Sequence, residues 1–113
     1  MSLPPVYSSQ LIQVTLVDGG TAVYDVLPLT RVVVTDVLCT FEGFCALGMT
    51  FALALGLSAE LLHWDTPAGW VGTRHWSGRA VLIAGDVLTA SFAGPDLSAS
   101  AHVHVSGFTL QAP

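Results

Sequence analysis

The chain has 113 residues, of which 52% are hydrophobic and only 10% are charged. This length fits one domain and this apolar content excludes intrinsic disorder, so we expect a single β-sandwich domain over residues 1–113. Three arginines, no lysine and eight acidic residues give a net charge of −5. Such a chain lacks the cationic surface that nucleic-acid binding requires. Because so few charges cannot cover a small domain, we expect other subunits to bury part of its surface.

The N-terminal third of the chain predicts three strands. Its first residues show no basic region followed by an apolar stretch, so we expect no secretory signal and synthesis in the cytoplasm. Residues 7–17 alternate apolar and polar side chains, which predicts a strand that ends in a hairpin turn at Asp18 and Gly19. Residues 21–26 are expected to return as the second strand. Residues 29–40 are β-branched and apolar on both faces, which predicts a central strand.

The middle of the chain contains an uncharged run between Glu42 and Glu60. The run is short for a transmembrane helix, its flanks are acidic, and glycines interrupt it, so a membrane span is not favoured. Its larger apolar side chains alternate with small ones, which favours a strand over residues 45–57. The alternating residues are Phe51, Leu53, Leu55 and Leu57. Residues 58–64 fit either another short strand or one to two helical turns.

The last third of the chain predicts further short strands separated by turns, with Ala84, Gly85 and Asp86 as one of those turns. These strands are expected at residues 70–77, 79–83, 86–92 and 102–110. Seven to nine short strands without a long amphipathic helix are typical of an all-β fold. We therefore expect a single antiparallel β-sandwich, jelly-roll-like in architecture.

His102 and His104 lie two residues apart on the last predicted strand, so both imidazoles should face the same side. One strand can supply two metal ligands in this way, but a third would have to come from His63, His75 or a carboxylate. A polar surface or a contact near a symmetry axis is favoured over a metal, and we predict no metal and no cofactor. Protonation of these histidines is expected to weaken assembly.

Cys39 and Cys45 flank a turn predicted at residues 41–44, so hairpin pairing could bring them to disulfide distance. Synthesis in a reducing cytoplasm favours buried free thiols instead.

Three tryptophans, Trp64, Trp70 and Trp76, surround a proline-containing loop. Together with nearby arginines they could form a carbohydrate-binding surface or a protein interface, and they could equally belong to the core. The sequence contains no recognisable nucleophile motif or phosphate-binding loop, so we predict no catalytic residues and no enzymatic activity.

Three stretches together resemble the small β-sandwich virion proteins of tailed bacteriophages. They are TRVVVTDV at residues 30–37, WSGRAVLIAGDVL at residues 76–88 and VSGFTL at residues 105–110. The resemblance implies a structural role in the virion, as a capsid decoration, collar, neck or tail component present in many copies. Its implied partners are other copies of itself, for which a trimer would suit, and other virion proteins. The apolar segment at residues 44–62 departs from that pattern.

We therefore expect a homo-oligomer that forms through an apolar face. The predicted interface residues are Phe51, Leu53, Leu55, Leu57, Trp70, His102 and His104. The alternative is a carbohydrate- or receptor-binding β-sandwich that uses Trp64, Trp70 and Trp76. A small secreted or membrane-associated β protein is a third possibility.

Overall fold

The computed structural model describes residues 7–43, 46–55, 59–94 and 98–111. These residues form eight β-strands and no helix, so the predicted all-β fold is confirmed. The strands are β1 (Tyr7–Leu16), β2 (Thr21–Asp25), β3 (Thr30–Glu42), β4 (Thr50–Leu55), β5 (Ala59–Asp65), β6 (Gly72–Ile83), β7 (Val87–Ala93) and β8 (Ser100–Gln111). Nothing in the described ranges is a helix with the length and apolarity to cross a membrane.

The strands make two four-stranded antiparallel sheets. The first sheet has the order β1-β8-β3-β6 and the second has the order β2-β7-β4-β5. The pairings are nested: β1 pairs with β8, β2 with β7, β3 with β6 and β4 with β5. This nesting of eight strands in two sheets is the jelly-roll arrangement.

The core lies between the two sheets, because each strand turns alternate side chains inward. On β3 the inward residues Val32, Val34, Val37 and Cys39 are fully buried. The change of parity between Val34 and Val37 comes from a bulge, where the register of β3 shifts against both of its neighbours. Burial raises the pKa of the Cys39 thiol to about 12, and this cysteine is free. Cys45 lies outside the described residues.

The alternating residues of β4 lie in the core. Phe51 and Leu53 are 0% and 1% exposed, and Leu55 is half-buried against the same core. Phe51 and Leu53 are therefore not available for the predicted subunit interface, because their side chains are already buried within this chain. Leu57 lies outside the described residues.

Several element boundaries differ from those expected from the sequence. β4 begins at Thr50 rather than at residue 45, and residues 59–65 form a strand, one of the two alternatives that the sequence left open. β6 runs unbroken from Gly72 to Ile83, although the sequence indicates separate segments at residues 70–77 and 79–83. Its irregularity is a bulge opposite Thr35, at which the register skips between the pairs Val34↔Ala80 and Asp36↔Ser77.

Two positions require glycine, one for its backbone conformation and one for lack of space. Gly85 has a φ of 89°, as a tight turn requires, and the backbone N–H of Ile83 donates to Asp86 Oδ2 at 2.8 Å. The predicted structural role of this turn is confirmed. Gly107 lies where a side chain would collide with the carbonyl oxygen of Val33, so the strand pair β3 and β8 needs glycine there.

Candidate functional site

The outer face of the first sheet carries two chemically different regions. Because residues paired across neighbouring strands share a face, the register arranges its side chains in rows. One row places Phe108, Val33 and Val81 side by side, and the next places Leu110, Arg31 and Ile83 together. Farther along the same strands, the rows consist almost entirely of polar residues.

We call the first region the apolar end; it comprises Val33, Val81, Ile83, Phe108 and Leu110, which surround the exposed Arg31. Val33 is only 6% exposed but is not part of the core cluster between the sheets. Its side chain points to the outer face, where neighbouring side chains cover it. Val81 and Ile83 are 55% and 56% exposed. Leu27 and Leu29, in the loop that leads into β3, add two more exposed leucines at this end of the sandwich.

We call the second region the polar groove; it is an open depression of about 450 Å³ on the same face. Two rows build it: Thr15, His102 and Thr40 in one, and Gln13, His104 and Leu38 in the other. Both predicted histidines therefore face the same side of β8, as the spacing indicated. Cavities that bind small molecules occupy a similar volume.

Hydrogen bonds on both ring nitrogens fix the imidazole of His102. Its Nε2 lies 2.9 Å from Glu42 Oε2, and its Nδ1 lies 2.7 Å from Thr15 Oγ1. A carboxylate only accepts, so Nε2 donates to Glu42 and the Nδ1 of the neutral ring accepts the hydroxyl proton of Thr15. Glu42 also offers a protonated His102 a negative partner within its own chain. The predicted weakening of assembly by acid stays a prediction.

Glu42, His102 and Thr15 place a carboxylate, an imidazole and a hydroxyl in the order of a nucleophilic triad. Catalysis also requires donors aimed at a developing oxyanion and a site that excludes water. Here the side chains of His102 and Glu42 are about half exposed, at 46% and 56%. The backbone of β8 is paired on both sides, so its N–H groups are used by the sheet. The arrangement therefore suits a positioned hydrogen-bonding group better than a nucleophile.

A second polar cluster adjoins the groove, and the sequence analysis did not identify it. Asp36 Oδ1 accepts from Ser77 Oγ at 3.1 Å and lies 3.1 Å from His75 Nε2, while Thr35 Oγ1 donates to Oδ2 at 3.0 Å. The hydrogen bonds from Thr35, His75 and Ser77 lower the pKa of Asp36 below its usual 3.8. Thr35 and Asp36 are far in sequence from His75 and Ser77, and the two pairs meet only through the pairing of β3 with β6.

The outer face of the second sheet holds its own histidine, His63. Its Nε2 lies 3.1 Å from Asp65 Oδ1 and its Nδ1 lies 3.2 Å from Glu60 Oε1. Hydrogen bonding to Asp65 and then to Glu60 raises the pKa of His63 above its usual 6.5. Hydrogen bonds from Thr50 and His63 lower the pKa of Asp65.

The three tryptophans pack against the core from three different elements. Trp64 lies on the inner face of β5 with its ring 5.9 Å from that of Phe51. Trp70, in the loop before β6, lies 6.0 Å from Phe41 and carries the guanidinium of Arg74 at 4.8 Å over its ring. Trp76, on β6, lies opposite the buried Val37 and packs against the core. None of the three reaches the outer face of either sheet.

Across the described residues, no group of three or more His, Cys, Asp or Glu side chains is placed to hold a metal ion. His102 uses both ring nitrogens within the chain. Of the residues predicted for an interface, His102 and His104 lie on the outer face and Trp70 is half-buried.

Comparison with known proteins adds little to this description. No protein-family model matches the sequence, and the search of curated proteins found no match. Among solved structures, the chain is similar to one from the virus-like particle of the giant freshwater prawn Macrobrachium rosenbergii extra small virus. The TM-score is 0.37 at 5% identity, over 96% of this chain and 82% of that chain. At that TM-score too much of the geometry differs for function to pass from one protein to the other.

Proposed function

We propose that the chain is a non-enzymatic structural subunit of a virus particle, and that it self-assembles through the apolar end. The observation that carries the proposal is the group of five apolar residues in two adjoining rows of the outer face, with Val81 and Ile83 more than half exposed. Complete burial of such a side chain contributes roughly 1.5–3 kcal/mol. A second copy that covered both rows would therefore gain several kcal/mol.

The backbone before β3 supports an interface at this end. Leu29 has a φ of 62°, a conformation that a leucine adopts only at a cost, and its side chain is 71% exposed. Strained backbone combined with an exposed apolar side chain is typical of a segment selected for a contact. The loop is also tied down, because the N–H of Gly85 donates to the carbonyl of Val26 at 3.2 Å. A fixed loop loses little conformational entropy when it meets a partner.

The virion is the proposed setting for two reasons. The eight-stranded jelly roll is an architecture that capsid proteins share with lectins and cupins, so it is compatible with a particle subunit without requiring one. The sequence resemblance favours a component of a tailed bacteriophage, on the capsid, neck or tail. Peptides of this chain in purified particles would support this setting, and their absence from particles made by cells that express the chain would contradict it.

Sedimentation velocity tests self-assembly with two matched variants. Ile83→Asp places a charge in the apolar end, whereas Leu38→Asp makes a similar change in the polar groove, where Leu38 is 40% exposed. We expect Ile83→Asp to sediment as a monomer, whereas Leu38→Asp should stay assembled. A stable interface typically buries roughly 800 Å² on each partner, and Leu38 lies outside the proposed one. A wild-type monomer at high concentration contradicts the proposal, as does equal dissociation of both variants.

A further inference from the structure

The polar groove is built as a site that still has hydrogen-bonding capacity to offer. The side chains of Gln13 and His104, directly opposite each other on β1 and β8, make no hydrogen bond within the part of the chain that the structure describes. An unpaired amide and an unpaired imidazole together present both donors and acceptors. Beside them, the contacts with Glu42 and Thr15 hold the ring of His102 in one orientation.

The charges around the groove restrict the class of ligand. None of the three arginines lines it: Arg31 lies in the apolar end and Arg74 covers the ring of Trp70. The carboxylate of Glu42 contacts the lining residue His102 and would repel an anion. Phosphate, sulfate and carboxylate groups are therefore disfavoured.

The remaining chemistry fits a molecule that is rich in neutral hydroxyl groups. A hydroxyl donates one hydrogen bond and accepts two, so it matches the amide of Gln13, the imidazole of His104 and the hydroxyl of Thr40. Leu38 places an apolar surface among these groups, against which the C–H face of a sugar ring can pack.

We infer that the polar groove binds a neutral saccharide. The recognition groups are Gln13 and His104, with His102 as the fixed wall and Leu38 as the apolar floor. This site is distinct from the tryptophan surface that the sequence suggested, and it does not depend on the proposed assembly. In a particle subunit, the role proposed above on which this last step rests, such a site would attach the particle to a glycan-bearing surface.

An array of immobilised neutral and sialylated oligosaccharides tests the inference with the full-length protein. We expect binding to neutral glycans, with an affinity that falls about 3- to 10-fold in Gln13→Ala and in His104→Ala, as for the loss of one hydrogen bond. Binding to sialylated glycans alone would overturn the inference. So would an absence of binding at millimolar concentrations of the free glycan, or binding that neither substitution changes.

The variant Ile83→Asp is the matched control. It should bind the same free neutral glycan with wild-type affinity per chain while failing to assemble. Gln13→Ala and His104→Ala should sediment as the wild type does. Failure of the glycan proposal and failure of the assembly proposal are thus read from different variants. Circular dichroism of each variant verifies that the β-sandwich is retained.

Discussion

The apolar residues of β4 and those of the apolar end are similar in type but differ in burial. Phe51 and Leu53 point between the sheets and are fully buried, whereas Val81 and Ile83 point away from the core and stay more than half exposed. The face that a residue occupies, rather than its hydrophobicity, decides whether it is available to a partner. A single change of parity along a strand exchanges the two roles.

The largest expected effect concerns the core side of this comparison. Phe51→Ala removes a fully buried ring that contacts Trp64, so the free energy of unfolding should fall by about 3–5 kcal/mol. Val23→Ala is the control on the outer face of the second sheet, where Val23 is 56% exposed, and should change it by less than about 0.5 kcal/mol. Urea denaturation measures both. Similar losses for the two variants would contradict the assigned faces.

A labelling experiment sharpens the comparison on β3, where Cys39 points inward and its neighbour Leu38 points outward. In a Cys45→Ser background, native Cys39 should resist iodoacetamide at pH 8, because the thiol is buried and its pKa is about 12. A cysteine introduced by Leu38→Cys, with Cys39→Ser and Cys45→Ser, should react at least tenfold faster. Mass spectrometry follows both reactions, and rapid labelling of native Cys39 would contradict its place in the core.

The smallest expected effect is the pH dependence that His63 confers. Its pKa is above 6.5 in the folded chain, so its contribution to stability is complete below pH 6.5 and disappears as the pH rises through the folded value. The melting temperature of the wild type minus that of His63→Gln should therefore decrease from pH 6 to pH 8. A difference that increases over this range would show that the two carboxylates do not act on His63 as the structure indicates.

Local patterning was enough to predict most of the fold. Alternation identified the strands, and the Gly85 turn followed from residue type alone. The sequence indicates two segments at residues 70–77 and 79–83, whereas the structure accommodates Gly78 beside a bulge within one long strand. Residues 59–65 were ambiguous because a short apolar run fits a helix or a strand until its neighbours are known.

The sequence predicts only the part of the candidate site that lies on a single strand. Parity placed His102 and His104 on a common face, but it could not say which face of β4 points into the core. The apolar end combines residues of β3, β6 and β8, and the Asp36 cluster combines β3 with β6. Such sets come together only through the register between distant strands, which no local pattern contains.

Hydroxyl-radical footprinting of the assembled protein tests most directly the claim that the two regions of the outer face have different roles. We expect Val81, Phe108 and Leu110 to be protected in the assembled wild type and to be modified several-fold faster in Ile83→Asp. Leu38 and His104 should be modified at the same rate in both, because the polar groove stays open. Equal modification of the apolar end in the two proteins, or protection of His104 instead, would contradict the account.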